Sequence, residues 1–311
     1  VLRRRAVALA ALALGVAAAP AAHGASADAP LRVVATSTDL KSLVEAVGGA
    51  RVEAESLAPA LHDPHAVEVK PGQIARLKRA ALLVRVGLDH EPWLSKVLAA
   101  AGEPRFARGG AGDLDASRGV RLIQTETPRL RADARPHVHG LGNTHYWLDP
   151  ENARPISAAI LDALARASPT DRAQFEANRR RFLERLDAGL ERWQRALAPW
   201  RGTQVVVVHE TWPYFAARFG LTITAAAEPT PGVPPTPAEL AALIKRMRES
   251  RVRLVLAEPY SSPVLLRQLA ERAGARVVTL VPSVGGDAAA TDYIALFDVN
   301  VKRLAEALAA P

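Results

Sequence analysis

The sequence predicts an α/β protein of two lobes with mainly parallel sheets, joined by one long spine helix. Three observations carry that prediction. Short β-branched runs alternate with helical stretches in both halves of the chain, a single apolar stripe of helical period separates the two sets, and 311 residues suffice for two lobes.

Taken in order, residues 1–26 are expected to form a cleaved export signal. Arg3, Arg4 and Arg5 make a positive start, and residues 6–19 an apolar stretch too short to span a bilayer. The small residues of 22–27 suit a signal peptidase, which places the mature protein in the periplasm. The N-terminal lobe is expected over 27–167, with strands at 31–36, 52–57 and 81–86. The spine follows over 168–199. Ser168 is placed to cap the free amides and Pro169 suits the first helical position. Phe175, Phe182, Leu186, Leu190, Trp193 and Leu197 then recur at spacings of three, four and seven, one face of a helix. Roughly 28 residues at 1.5 Å each would span about 42 Å, enough to run along both lobes. Pro199 ends the helix and Gly202 precedes the next strand. The C-terminal lobe is expected over 200–311, with strands at 204–209, 221–225, 252–257 and 277–281. No internal repeat of fixed period is present.

Composition narrows the chemistry. The chain has no cysteine, so it offers no disulfide, no thiolate ligand and no site for N-terminal lipid attachment. Any metal must be held by nitrogen and oxygen. The formal charge is +8, of which Arg3, Arg4 and Arg5 account for three. The remaining arginines, such as Arg179, Arg180 and Arg181, are spread along helical stretches as a solvated face, without the basic, aromatic clustering of a nucleic-acid binder.

Three of the eight histidines stand where α/β folds place ligand groups, beyond the carboxyl ends of strands. His65 lies in the loop after the second run, His209 ends the apolar run Val205-Val206-Val207-Val208, and His145 sits just ahead of a helix. Neutral imidazole is a common ligand of zinc, and three such groups from distant segments can converge between two lobes.

The motifs in order are Asp63-Pro64-His65, Lys70-Pro71, Gly87-Leu88-Asp89-His90-Glu91-Pro92-Trp93-Leu94, His145-Tyr146-Trp147-Leu148-Asp149-Pro150, His209 with Tyr214-Phe215, Phe219-Gly220-Leu221, Pro235-Thr236-Pro237-Ala238-Glu239-Leu240, Ala257-Glu258-Pro259, and Tyr293 with Asn300. In this order and spacing they resemble the zinc and manganese solute-binding proteins of ABC transporters, over nearly the whole mature chain. The resemblance implies a periplasmic, monomeric carrier that is not an enzyme and that hands its ion to a membrane permease. It implies His65, His145 and His209 as metal ligands. Relatives that favour manganese often carry a carboxylate at the third position; histidine there favours zinc, with manganese the alternative. The fourth ligand of many relatives is an aspartate after the last strand, where this chain has Val281. Asp287 is the nearest substitute, with Glu258 or a water molecule as alternatives.

The other histidines have lesser expected roles. His137 and His139 could collect the ion in a polar loop, His62 could assist His65, His90 is read as a helix-start residue and His23 leaves with the signal. The alternative function is a zinc-dependent hydrolase, because His137-Val138-His139 matches a His-x-His metal pair and Glu210 could be a general base. Against it, adjacent strand residues point to opposite faces, which turns Glu210 away from His209. A free metal chaperone or an adhesin of the same family is a further alternative.

Overall fold

The apolar, β-branched runs become strands close to where they are expected. The computed structural model describes residues 29–68, 70–124, 142–228 and 233–310. The expected export signal, His23, His137 and His139 lie outside the described residues. Strands β1 (Leu31–Ala35), β2 (Val52–Ser56), β3 (Leu82–Arg85) and β4 (Asp113–Asp115) form one parallel sheet in the order β2-β1-β3-β4. Strands β5 (Gln204–Val207), β6 (Thr222–Ala226), β7 (Leu254–Ala257) and β8 (Arg276–Thr279) form a second, in the order β6-β5-β7-β8. The same order recurs without any sequence repeat. In each sheet the direction of strand addition reverses between the two central strands, which opens a crevice beyond their carboxyl ends.

The short strand β4 is absent from the sequence-based reading because Asp113-Leu114-Asp115 has no apolar run. It is fixed by a distant partner. The buried guanidinium of Arg85 on β3 pairs with Asp113 at 2.8 Å and Asp115 at 2.9 Å, and a buried cation needs such partners.

The spine is helix α5 (Arg172–Leu197). Its 26 residues rise about 39 Å. Every residue of the expected stripe is buried. The start differs from expectation: Pro169–Asp171 is a 3₁₀ turn, and Ser168 donates its hydroxyl to Asp171 rather than accepting a helix amide. Helices α1 (Thr38–Gly48), α4 (Ala153–Ala167) and, from the chain's end, Tyr293–Ala309 pack on α5. The Trp193 indole donates to Asp298 at 2.7 Å and its ring lies 5.1 Å from that of Phe297.

One continuous apolar core therefore runs from Val33 and Leu82 of the first sheet, through Trp147, Phe182 and Trp193, to Val205, Phe215 and Leu256 of the second. The last segments of the chain also cross back to α1. The Val284 amide donates to Asp39 at 2.9 Å and the Tyr293 amide to Ser42 at 3.0 Å. The two sheets are thus held in one register, with their carboxyl edges facing a shared crevice. Among the described residues, no helix is long and apolar enough to cross a membrane.

Candidate metal centre

Loops leaving β2, β3 and β5 and the segment ahead of the turn Tyr146–Leu148 carry four histidines into that crevice. The ring of His65 lies 5.3 Å from that of His145 and 6.0 Å from that of His209, and His145 and His209 are 5.6 Å apart. The structure thus brings together all three histidines singled out in the sequence. It adds His90, whose ring is 4.2 Å from His65 and 5.3 Å from His145. His65, His90 and His145 each offer a ring nitrogen within 4.8 Å of the others.

Each imidazole is oriented through Nδ1. His65 Nδ1 donates to the carbonyl of His90 at 3.0 Å, His145 Nδ1 to Asn143 Oδ1 at 3.2 Å, and His209 Nδ1 to the carbonyl of Glu228 at 3.4 Å. A neutral ring that donates from Nδ1 carries its lone pair on Nε2. The Nε2 atoms of His65 and His145 are 3.3 Å apart. Two nitrogens bound tetrahedrally to one zinc ion at 2.0–2.1 Å must lie about 3.3–3.4 Å apart, so the pair already has the spacing of a shared ion. Burial pushes the His209 imidazole below its ordinary pKa, which keeps it neutral and able to ligate at neutral pH.

Local sequence explains these placements. Asp63 accepts the His65 amide at 2.9 Å, an Asx turn that fixes the loop after β2. Asn143 repeats that arrangement for His145, accepting its amide at 2.9 Å, while its own amide group donates to Gln124 and to the carbonyl of Glu210, across to the second sheet. Asn143→Ala is expected to weaken metal binding by about 10–100-fold while leaving the fold intact, the usual effect of removing a residue that orients a ligand; a competition titration with a chromophoric chelator checks this.

His90 arrives by an unusual turn. Gly87, Leu88 and Asp89 have φ of 78°, 56° and 57°, and the His90 amide donates back to the Gly87 carbonyl at 3.0 Å. Residues with a Cβ avoid this left-handed region by about 1–2 kcal/mol. A Cβ at Gly87 would lie 2.2 Å from a carboxylate oxygen of Asp115, so a larger residue would have to displace the Asp115–Arg85 pair. The buried Glu91 carboxylate clamps the turn by accepting from the amides of Val86 and Gly87 at 2.7 and 3.1 Å and from the Thr36 hydroxyl. The reading of His90 as a helix-start residue is corrected here: α3 begins four residues later (Leu94–Ala101), and His90 lies buried in the histidine cluster.

The other candidates are held by partners of their own, buried or turned to solvent. Asp287 pairs with Arg303 and accepts the Ala289 amide at 2.8 Å. Val281 is fully buried and its backbone is held on both sides by Asn300. Glu210 and His62 are exposed. Glu258, at the carboxyl end of β7, accepts from the Trp212 indole at 2.8 Å and the Ser261 hydroxyl at 2.9 Å.

Burial pushes the carboxyls of Asp39, Glu91 and Glu258 up to about 7. The folded chain therefore keeps these protons to near neutral pH, whereas the unfolded chain releases them in the ordinary carboxylate range. Raising the pH through that window releases protons on unfolding and so lowers stability. Glu258→Gln keeps an acceptor for Trp212 but cannot titrate. It is expected to flatten the loss of stability between about pH 4.5 and 7, measured as urea midpoints across that range.

Residues 33–307 match the family described as the periplasmic component A of the zinc-uptake complex, ZnuA. The chain is 27% identical over 270 residues to the high-affinity zinc uptake system protein ZnuA of Yersinia pestis, covering 82% of this chain and 83% of that one. A crystal structure of ZnuA superposes with a TM-score of 0.73 at 27% identity, covering 89% of this chain and 99% of that one. A manganese-bound solute-binding protein, FpvC of Pseudomonas aeruginosa, shares the fold with a TM-score of 0.75 at 22% identity, covering 89% and 98%.

Proposed function

The chain belongs to the family of periplasmic zinc-uptake components, and on that premise we propose that it captures one zinc ion through Nε2 of His65, His145 and His209 and delivers it to the permease of an ABC transporter. Members of this family bind metal for transport and are not enzymes. The observation that carries the proposal is the convergence of three separately anchored imidazoles on one point, with the His65 and His145 nitrogens already 3.3 Å apart.

Zinc is favoured over manganese by donor chemistry. Imidazole nitrogen suits zinc, whereas manganese prefers oxygen-rich sites. The named function of the Yersinia pestis relative points the same way; the manganese-bound FpvC shares the fold. In this reading residues 1–26 export a monomer to the periplasm, 27–167 and 200–311 form the lobes, and 168–199 the spine. The shared core restricts hinge opening, so release uses small loop and lobe shifts.

The test is a calorimetric titration of chelator-stripped protein with zinc and, separately, manganese. One zinc per chain, bound far more tightly than manganese, is expected. Equal affinities, or no stoichiometric site, would remove the zinc-carrier reading.

A further inference from the structure

We propose that His90 is the fourth ligand of the carried ion, completing an all-imidazole set in the role that the sequence offers to Asp287. This rests on the reading of His65, His145 and His209 as ligands.

His90 shares the anchoring found in those three. Its Nδ1 lies 2.8 Å from Thr144 Oγ1, on the residue directly before His145. With Nδ1 donating to that hydroxyl, the lone pair falls on Nε2, the same nitrogen that His65, His145 and His209 present. The donors of His90, His65 and His145 are mutually within 4.8 Å. Four rings around one tetrahedral ion at ordinary zinc–nitrogen distances would have centroids about 5 Å apart. The five measured separations among these rings run from 4.2 to 6.0 Å.

The backbone gives a second, independent line. Three consecutive left-handed residues, two of them bearing side chains, serve to place one side chain at the end of β3, and that side chain is 1% exposed. Such conformations persist where the surrounding structure enforces them, and they concentrate at functional sites. Here the enforcement is the Glu91 clamp and the approach of Asp115 to Gly87. A histidine that only filled core space would need no such turn. His90 also supports the centre through its carbonyl, which accepts from His65 Nδ1, so one turn fixes two imidazoles.

Asp287, by contrast, is engaged by Arg303 and the Ala289 amide. Four neutral nitrogen donors leave the charge of the ion undiminished and offer no hard oxygen. The site should therefore reject manganese and order the later divalent ions by their affinity for nitrogen, with cobalt and nickel able to substitute for zinc.

The experiment compares full-length wild type, His90→Leu, Asp287→Ala and His145→Ala, each stripped and titrated with zinc and with cobalt, whose visible absorption reports coordination geometry. His90→Leu is expected to weaken zinc at least about tenfold and to replace the intense tetrahedral cobalt bands by weaker ones. Asp287→Ala should leave both readouts unchanged. X-ray absorption of the zinc-loaded wild type supplies a readout that needs no variant, and four imidazoles are expected. Three imidazoles with an oxygen donor, or unchanged affinity and spectrum in His90→Leu, would overturn the assignment, while loss of binding in His145→Ala would keep the carrier reading standing. Absence of a stoichiometric site in the wild type would overturn both.

Discussion

His145→Ala is expected to reduce zinc affinity by more than about a hundredfold, beyond the range seen when only an orienting residue is lost, without unfolding the protein. His145 sits centrally among the rings, at 5.3 Å from both His65 and His90 and 5.6 Å from His209. Its Nε2 makes the 3.3 Å approach to His65. Removing the ring deletes a donor and enlarges the gap that the remaining nitrogens would have to close. The turn that follows should persist, because Tyr146 donates its hydroxyl to the Val86 carbonyl at 2.8 Å and the Trp147 indole donates to Pro282 at 2.9 Å. Calorimetry gives the affinity, and circular dichroism shows whether the fold is retained.

Trp193→Ala is expected to have the opposite profile, a loss of about 3–5 kcal/mol of stability, as for other large-to-small changes in cores, with zinc binding kept. Trp193 is among the largest fully buried side chains. It packs against Phe297 and so closely over Gly189 that a Cβ there would lie 2.7 Å from its ring. Alanine would leave a cavity in the part of the core common to both sheets. The variant should unfold at a lower urea midpoint in a transition that carries both sheets together. Added zinc should raise the midpoints of wild type and variant alike, the effect of an ion that binds the folded state in preference to the unfolded one. A variant that lost zinc binding as well as stability would show that the packing of the spine and the geometry of the centre are coupled.

These two profiles reflect how unevenly the molecule can be read from its residues. The α5 stripe is legible because Phe175 to Leu197 repeat at helical spacing. Most strands are legible because their β-branched runs are local signals, with edges displaced by one or two residues where sheet pairing stops. Strand β4 is not, since its reason for pairing is Arg85, 28 positions earlier.

The centre divides the same way. His65 and His209 follow strands and His145 precedes a turn, positions that topology alone makes suspect. His90 escapes because its placement depends on Leu88 and Asp89 adopting left-handed φ, a conformation that neither residue announces; Gly87 is the one local hint. Ser168 shows the converse: a residue of the right type for capping donates its hydroxyl to Asp171 at 2.7 Å, a carboxylate also paired with Arg51 at 2.9 Å, and caps no amide. Asp287 is the carboxylate nearest in sequence to Val281, and only the folded chain puts Arg303 beside it.

The most direct test of the central claim is a crystal of the protein loaded with one equivalent of zinc, with diffraction recorded on both sides of the zinc absorption edge. The expected result is a single anomalous peak about 2.0–2.1 Å from Nε2 of His65, His145 and His209. A peak elsewhere, or one that touches fewer than two of these histidines, would contradict the assignment of this crevice as the carrier site.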